Sequence, residues 1–150
     1  MAEGSDAPKG TGLEPYVLAL VICDAIHVDP GTGKRTILGC FSAIHTRGFP
    51  TVHPHMAIYV ALTDARGKIP ITLRIVDVDE KTDPVFEAEA ELEFPDPRTI
   101  LECDFHVGNV VFPSPGEYRL QLYCRNAPLM ERRIVVIGHP EQSDDATQES

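Results

Sequence analysis

The sequence predicts an all-β protein, an antiparallel immunoglobulin-like sandwich of about eight strands. Residues 16–137 fall into short apolar or alternating runs, and clusters of Gly, Pro, Asp and Asn interrupt these runs. No segment has the periodicity of a helix that could connect two parallel strands. These observations together favour two stacked antiparallel sheets.

The chain opens with a predicted hairpin. Residues 16–27 are almost continuously apolar and rich in Val and Ile, which favours a strand covered on both faces. The turn at residues 29–34 then returns the chain as a second strand over residues 35–45. Gly39 interrupts this second strand, which predicts a bulge or a close approach of another group.

A stiff loop and three further strands follow the hairpin. Two prolines predict a loop over residues 47–55. Residues 56–63 and 69–78 carry apolar side chains at every second position and are predicted strands. The clearest alternation is in residues 84–94, where Phe, Ala and Leu alternate with four glutamates. This period of two predicts a strand with an acidic outer face.

The second half of the domain begins with a polar connection over residues 95–102, in which one short helical turn fits residues 98–101. Three predicted strands complete the sandwich. They cover residues 103–112, 117–125 and 129–137.

Length and charge limit the possible functions. The 150 residues fit one domain, predicted over residues 16–137. The flanking residues 1–15 and 138–150 are predicted to be disordered tails, because they are polar and largely acidic. The net charge of −10 argues against binding to nucleic acid, whose phosphates it would repel.

The predicted compartment is the cytoplasm. The start of the chain lacks a basic region and a cleavage pattern typical of an export signal, and the first apolar run is too short to cross a membrane. We therefore expect reduced cysteines, no membrane partner and no cofactor.

Two hairpins resemble a family of small uncharacterised bacterial proteins. The first reads VLALVICDAIHVDPGTGKRTILGCF, and the closing one reads PSPGEYRLQLYCRNAPLMERRIVVI. The resemblance covers residues 16–137 and implies a β-sandwich. It implies no activity, and no site residues are carried over from it.

Histidines are the first candidates for chemistry. His53 and His55 flank Pro54, and in an extended segment this spacing directs both rings to one side, as a metal site requires. His45, His106 or Asp24 would have to supply a further ligand. The alternative is a polar loop whose imidazoles contact water or backbone, and it is the favoured reading.

Cysteines are the second candidates. The hairpin turns predict that Cys23 lies opposite Cys40, and that Cys103 lies nearly opposite Cys124. Both pairs would then be within disulfide range. The favoured alternative is four reduced thiols in the core, because of the predicted compartment.

Other motifs give weaker signals. The carboxylates of residues 77–83 do not fit a calcium loop, and neither Ser42 nor Ser114 lies in a nucleophile motif. The four outward glutamates of residues 84–94 are either a solvated face or a docking face, and Arg74 is predicted to lie near Glu87. For docking between copies, the basic counterpart would be Arg119, Arg125, Arg132 and Arg133.

The sequence therefore predicts a non-enzymatic binding or assembly module. Its partner is predicted to be another protein, recognised through loops 47–55 and 95–102 because function concentrates in loops on rigid scaffolds. A further option is self-association, in which the outward strand faces are buried against other copies. The candidate binding residues are Phe49, His53, His55, Asp96 and Arg98. The alternative is a small metal-dependent enzyme of the β-sandwich type that uses His53 and His55.

Overall fold

Two β-sheets packed face to face form the structure, a computed structural model that describes residues 14–79 and 81–139. The predicted class, an all-β immunoglobulin-like sandwich, is confirmed. The strands in these ranges are β1 (Tyr16–Val28), β2 (Arg35–Cys40), β3 (Ala43–Thr46), β4 (Thr51–Thr63), β5 (Gly67–Asp77), β6 (Phe86–Phe94), β7 (Leu101–Phe112), β8 (Gly116–Cys124) and β9 (Ala127–Gly138). Nearly all of both predicted tails lies outside the described residues. No helix in the described ranges is long and apolar enough to span a bilayer.

The two sheets are named here by their strand order. Sheet one has the order β2-β1-β4-β7, and sheet two has the order β3-β9-β8-β5-β6. All pairings are antiparallel except that of β3 with β9. Within the described ranges, hairpins join β1 to β2, β5 to β6, and β8 to β9, whereas the other strands that follow each other in sequence lie in different sheets. A turn signal marks a reversal, but it does not tell whether the next strand pairs in the same sheet or passes to the other one.

The predicted second strand is two strands that lie in different sheets. β2 ends at Cys40, and after Phe41 and Ser42 the chain continues as β3 in sheet two. Gly39 has a φ of 69°, and a Cβ on it would lie 2.3 Å from the Asp24 carboxylate. The predicted close approach is therefore confirmed, and it explains why glycine occupies this position.

Alternating side chains of both sheets form the core, as the sequence predicted. Every second residue of β4 from Met56 to Leu62, and every second residue of β8 from Tyr118 to Cys124, is buried. The largest fully buried side chains are Tyr118, Phe94, Phe112, Ile22, Met56, Ile58, Leu62, Ile71, Leu73, Ile75, Leu120 and Leu122. This interior fixes the orientation of the strands at both ends of the sandwich.

One irregularity on β4 and β7 is important for the site. The buried positions on β7 shift from Val107 to Val110 instead of alternating, and Asn109 between them has a φ of 53°. The alternation shifts at the same level on β4, around Pro54. Pairing of β1 with β4 extends only to Ala57, so the missing N–H of Pro54 costs no bond to β1. For this reason β4 begins at Thr51, and the predicted loop over residues 47–55 was mostly wrong.

Candidate functional site

The two predicted recognition loops lie at opposite ends of the sandwich. On β4, Thr51 pairs with Phe112 and Leu62 pairs with Leu101. The loop before β4 is therefore at one end of this strand pair, and the loop before β7 is at the other. They cannot form one continuous surface.

Phe49 lies between β3 and β4 and packs partly against the core. Its ring lies so close to Gly138 that a Cβ there would be 2.8 Å from Phe49 Cε2. Phe49 is thus largely a packing residue at the end of β9. At the opposite end, Asp96 accepts a 2.8 Å bond from the Arg98 backbone N–H, and its carbonyl accepts one from Thr99. This hydrogen-bonded turn takes the place of the predicted helical turn.

His53 and His55 face opposite sides of sheet one. His53 pairs in register with the buried Val110, and its ring lies 5.5 Å from that of Phe41 on the core side. His55 is exposed, and its ring stacks 6.1 Å from that of His106 on the outer face. Burial lowers the pKa of His53, and the nearby Asp24 carboxylate opposes this effect. The prediction that both rings point to one side was wrong, because the backbone changes face near Pro54.

A metal site is not assembled from these histidines within the part of the chain that the structure describes. No group of three or more His, Cys, Asp or Glu side chains in residues 14–79 and 81–139 is arranged to hold a metal ion. His45 instead contacts His139, with 2.8 Å between His45 Nδ1 and His139 Nε2. A zinc site needs at least three protein ligands, so neither histidine pair is sufficient.

The two predicted cysteine pairs have different outcomes. Cys23 lies directly opposite Cys40 in the register of β1 and β2, which confirms the first prediction. Cys103 and Cys124 lie on strands of different sheets, so the second prediction was wrong. The chain passes from β7 to the other sheet at Pro113, where a hairpin was expected. All four cysteines are free thiols.

The arginines of β8 and β9 form contacts within the chain. Arg119 forms ion pairs with Glu117 and Glu131, and Arg133 donates to Glu117 over 3.1 Å. Hydrogen bonds from Arg119 lower the pKa of Glu117, as expected for a carboxylate beside a guanidinium. Arg132 donates a 2.6 Å bond to the Leu20 carbonyl. These three arginines therefore do not form the open basic face that the sequence suggested.

The glutamates of β6 line an edge strand of sheet two. Their burial pattern alternates with that of the apolar residues, as predicted. Arg74 pairs in register with Glu87, but its guanidinium donates to Gln121 and Tyr123 and lies 4.7 Å above the Tyr123 ring. An open groove of about 670 Å³ runs along this face. Within the described ranges, no ion pair neutralises the acidic ladder formed by Glu87, Glu89, Glu91 and Glu93.

The first half of β7 carries charges that are tied into sheet one. Arg35 on β2 donates to Asp104 over 2.8 Å and to Glu102 over 3.0 Å. Tyr59 on β4 donates to the other oxygen of Glu102, and burial together with this bond raises the Tyr59 pKa to about 12. Since β1 and β4 lie between β2 and β7, the Arg35 side chain reaches these partners over the outer face of the sheet.

The second half of β7, residues 105–112, contains no Asp, Glu, Lys or Arg. β7 is an edge strand, so one side of its backbone pairs with no strand in the described ranges. Val111 is 45% exposed and lies opposite Val52 on β4, which is 53% exposed. Exposed His55 and His106 stack beside this pair, near the centre of the strand. We call this surface the β7 edge patch, defined by residues 105–112 with Val52 and His55.

Comparison with known proteins places the chain in a family. A family model described as "Family of unknown function (DUF6941)" matches residues 18–137. The chain belongs to this family. The match includes all or most of every strand in the described ranges, and the predicted membership of an uncharacterised β-sandwich family is confirmed. The family description assigns no function to any residue.

Two solved structures are similar to this member of the family. One is an immunoglobulin-like protein from Pseudomonas aeruginosa, with a TM-score of 0.42 and 13% identity over 85% of this chain and 99% of that chain. The other is a β-glucosidase from Listeria innocua in complex with glucose, with a TM-score of 0.41 and 11% identity over 66% of this chain. This chain spans only 15% of the β-glucosidase. A search of the curated proteins finds no match.

Sequence reasoning missed the β7 edge patch, although the signal was present. The segment Phe105–Phe112 reads FHVGNVVF, and it has no charged residue for eight positions. Its position at a sheet edge depends on strand order. That order depends on the chain crossing to sheet two at β3 and again at β5. No local sequence motif indicates these crossings.

Proposed function

We propose that the protein is a non-enzymatic assembly module in which the β7 edge of one chain pairs with the β7 edge of a second copy. The observation that supports this proposal is the uncharged stretch of residues 105–112 on an unpaired edge. Natural sheets normally protect such edges by charge, by short length or by a covering segment. A long edge without this protection is suited to the addition of another strand.

The four edge strands differ in these protections. β2 and β3 are short, with six and four residues. β6 has nine residues but carries the acidic ladder. β7 has twelve residues, and its acidic residues lie only at the beginning. This comparison favours β7 as the edge that accepts a strand.

Charge also favours a second copy as the occupant of the edge. An antiparallel two-fold pairing within residues 105–112 of β7 places no carboxylate opposite another, because this segment contains none. The corresponding pairing of β6 centred on Ala90 places Glu89 opposite Glu91, and like charges in opposed positions are destabilising. Pairing of β7 would join the two copies of sheet one into one continuous sheet, with the isologous contact typical of two-fold dimers.

Part of the sequence-based proposal is retained in this surface. His55, a predicted binding residue, belongs to the β7 edge patch, and His53 lies behind it on the core side. Asp96 and Arg98 lie at the other end of the sandwich, so their role in binding stays a separate prediction. No third metal ligand supports the enzymatic alternative in the described ranges.

The test is the oligomeric state of the full chain and of a Val111→Lys variant. We expect dimers in sedimentation velocity across a concentration series, and an association at least about tenfold weaker in the variant, because a lysine on the edge opposes strand pairing. Val111 is already exposed, so the variant keeps its core. Ile100→Lys is the matched control, because it adds the same charge at a residue that is 59% exposed and outside β7.

Two outcomes contradict the proposal. One is a wild-type protein that stays monomeric at the highest concentration reached, which would leave a different polypeptide as the only possible occupant of the edge. The other is a Val111→Lys dimer as stable as that of Ile100→Lys, which would place the contact elsewhere.

A further inference from the structure

The pair formed by Cys23 and Cys40 has the geometry of a cross-strand disulfide site. The two residues are directly opposed in register. The Phe41 N–H donates a 3.2 Å bond to the Ile22 carbonyl, which flanks the pair. This bond identifies a non-hydrogen-bonded pair, in which the Cα atoms lie about 4.5 Å apart. Such a separation falls within the range of about 4.4–6.8 Å found for disulfides.

The two thiols differ in their access to solvent. Cys40 is exposed, whereas Cys23 has none of its surface exposed. Cys23 Sγ lies 3.5 Å from the Ala25 and Ala57 carbonyl oxygens. Burial, followed by the neighbouring Cys40, raises the pKa of Cys23. An oxidant in solution therefore meets Cys40 first, and Cys23 is positioned to react second.

The other two cysteines lack this arrangement. Cys103 on β7 is half-buried beside the core, and Cys124 on β8 is buried within it. They lie on strands of different sheets and are not partners in register. The four thiols therefore divide into one opposed pair and two single residues.

We infer that Cys23 and Cys40 are a site of reversible oxidation, at which a small-molecule disulfide converts the two thiols into an intramolecular bridge. In the first step the Cys40 thiolate attacks one sulfur of the small disulfide. A mixed disulfide forms, and one small thiolate leaves and takes up the proton that Cys40 lost. In the second step the Cys23 thiolate attacks Cys40 Sγ, and the second small thiol departs with the proton from Cys23. The protein loses two electrons and two protons, and the small disulfide is reduced to two thiols.

The bridge would join β1 to the last residue of β2, immediately before Phe41 and Ser42 take the chain into sheet two. It would close a covalent loop over residues 23–40. This loop includes Arg35, which pairs with Glu102 and Asp104 on β7. A cross-link of this kind restricts the unfolded chain, so we expect oxidation to raise the melting temperature.

The experiment treats the purified full chain with oxidised glutathione and counts free thiols after denaturation. We expect loss of two of the four thiols, a mass decrease equal to two hydrogens and a peptide that links Cys23 to Cys40. The reductant dithiothreitol should restore all four thiols. Cys40→Ser should abolish the bridge, and Cys103→Ser, the matched control, should leave it unchanged.

Three results would overturn the inference. They are four thiols that persist, a glutathione adduct on Cys40 that never resolves, and a bridge between two chains through Cys40. Thiol counting and peptide mapping do not depend on the association state, so this test is independent of the proposal for β7. Any dimer bridged through Cys40 would appear as a covalent species on a non-reducing gel.

Discussion

The edge strands β6 and β7 differ in the charges that they present to another strand. Both leave one side of the backbone unpaired in the described part of the chain, and both are long enough to accept another strand. β6 carries a glutamate at every second position along its length. β7 carries its acidic residues only before Phe105, and there Arg35 and Tyr59 engage them.

This difference supports the proposal that charge selects β7 as the edge for assembly. On β6 the carboxylates lack ion-pair partners in the described ranges, so two β6 strands would bring like charges together. On β7 the two carboxylates share the Arg35 guanidinium, and Glu102 also accepts from the Tyr59 hydroxyl, whereas the open half carries no carboxylate. The same protein can therefore resist association at one edge and allow it at the other.

The largest effect is expected when the protection of β6 is removed. In a Glu87→Thr, Glu89→Thr, Glu91→Thr variant, like charges no longer oppose each other in a β6 pairing, and threonine is well suited to strands. We expect a second mode of association, at least about tenfold tighter than any association of the wild-type β6 edge. Light scattering should show species larger than a dimer, because each chain would then have two open edges.

A matched control separates this effect from net charge. Replacement of Glu14, Asp79 and Asp83 by threonine removes the same charge, and none of these residues lies on β6. That variant should not form species larger than those of the wild type. If both variants form species larger than a dimer to the same extent, total charge and not the β6 edge governs association. The comparison of the two edges would then be wrong.

The sequence predicted β6 well and β7 poorly, for a physical reason. Alternation of Glu with Phe, Ala and Leu is a local pattern that reports which face is buried, and the structure follows it residue by residue. Residues 103–112 were also recognised as a strand. No local pattern indicates that this strand lies at an edge, because edge position depends on which strands cross between the sheets.

The candidate site shows the same limit. The Cys23–Cys40 pairing followed from one hairpin turn and was confirmed, since a short turn fixes the register. Two other predictions failed because they needed information that a turn does not contain. The Cys103–Cys124 pair required β7 and β8 to share a sheet, and the shared side of His53 and His55 required a regular strand through Pro54.

An intermediate effect is expected when the charged half of β7 loses its anchor. Arg35→Ala leaves Asp104, whose side chain is only 14% exposed, without its ion-pair partner. Hydrogen bonds to charged groups contribute about 1.5–3 kcal/mol, and both side chains keep some exposure to solvent, so we expect the free energy of unfolding to fall by about 1–2 kcal/mol. Urea unfolding followed by circular dichroism measures the change.

The control for this variant is Arg133→Ala. Arg133 also donates to a carboxylate, but its side chain is 66% exposed, and surface ion pairs contribute little. Equal losses of stability in the two variants would show that the Arg35 cluster is an ordinary surface contact. The role of Arg35 as the anchor of the charged half of β7 would then have to be abandoned.

The smallest effect is expected at the other end of the sandwich. Asp96→Ala removes the 2.8 Å bond to the Arg98 N–H, while the backbone bond from Thr99 to the Asp96 carbonyl remains. We expect a loss of about 0.5 kcal/mol in the free energy of unfolding.

Arg98→Ala removes only an exposed side chain, and we expect it to leave both stability and self-association unchanged in the same sedimentation series. This variant tests the loop prediction against the edge proposal, because the loop lies next to Leu101 and far from the open half of β7. If Arg98→Ala weakens association while Val111→Lys does not, the binding surface belongs to loop 95–102, and the β7 edge is not the site of assembly.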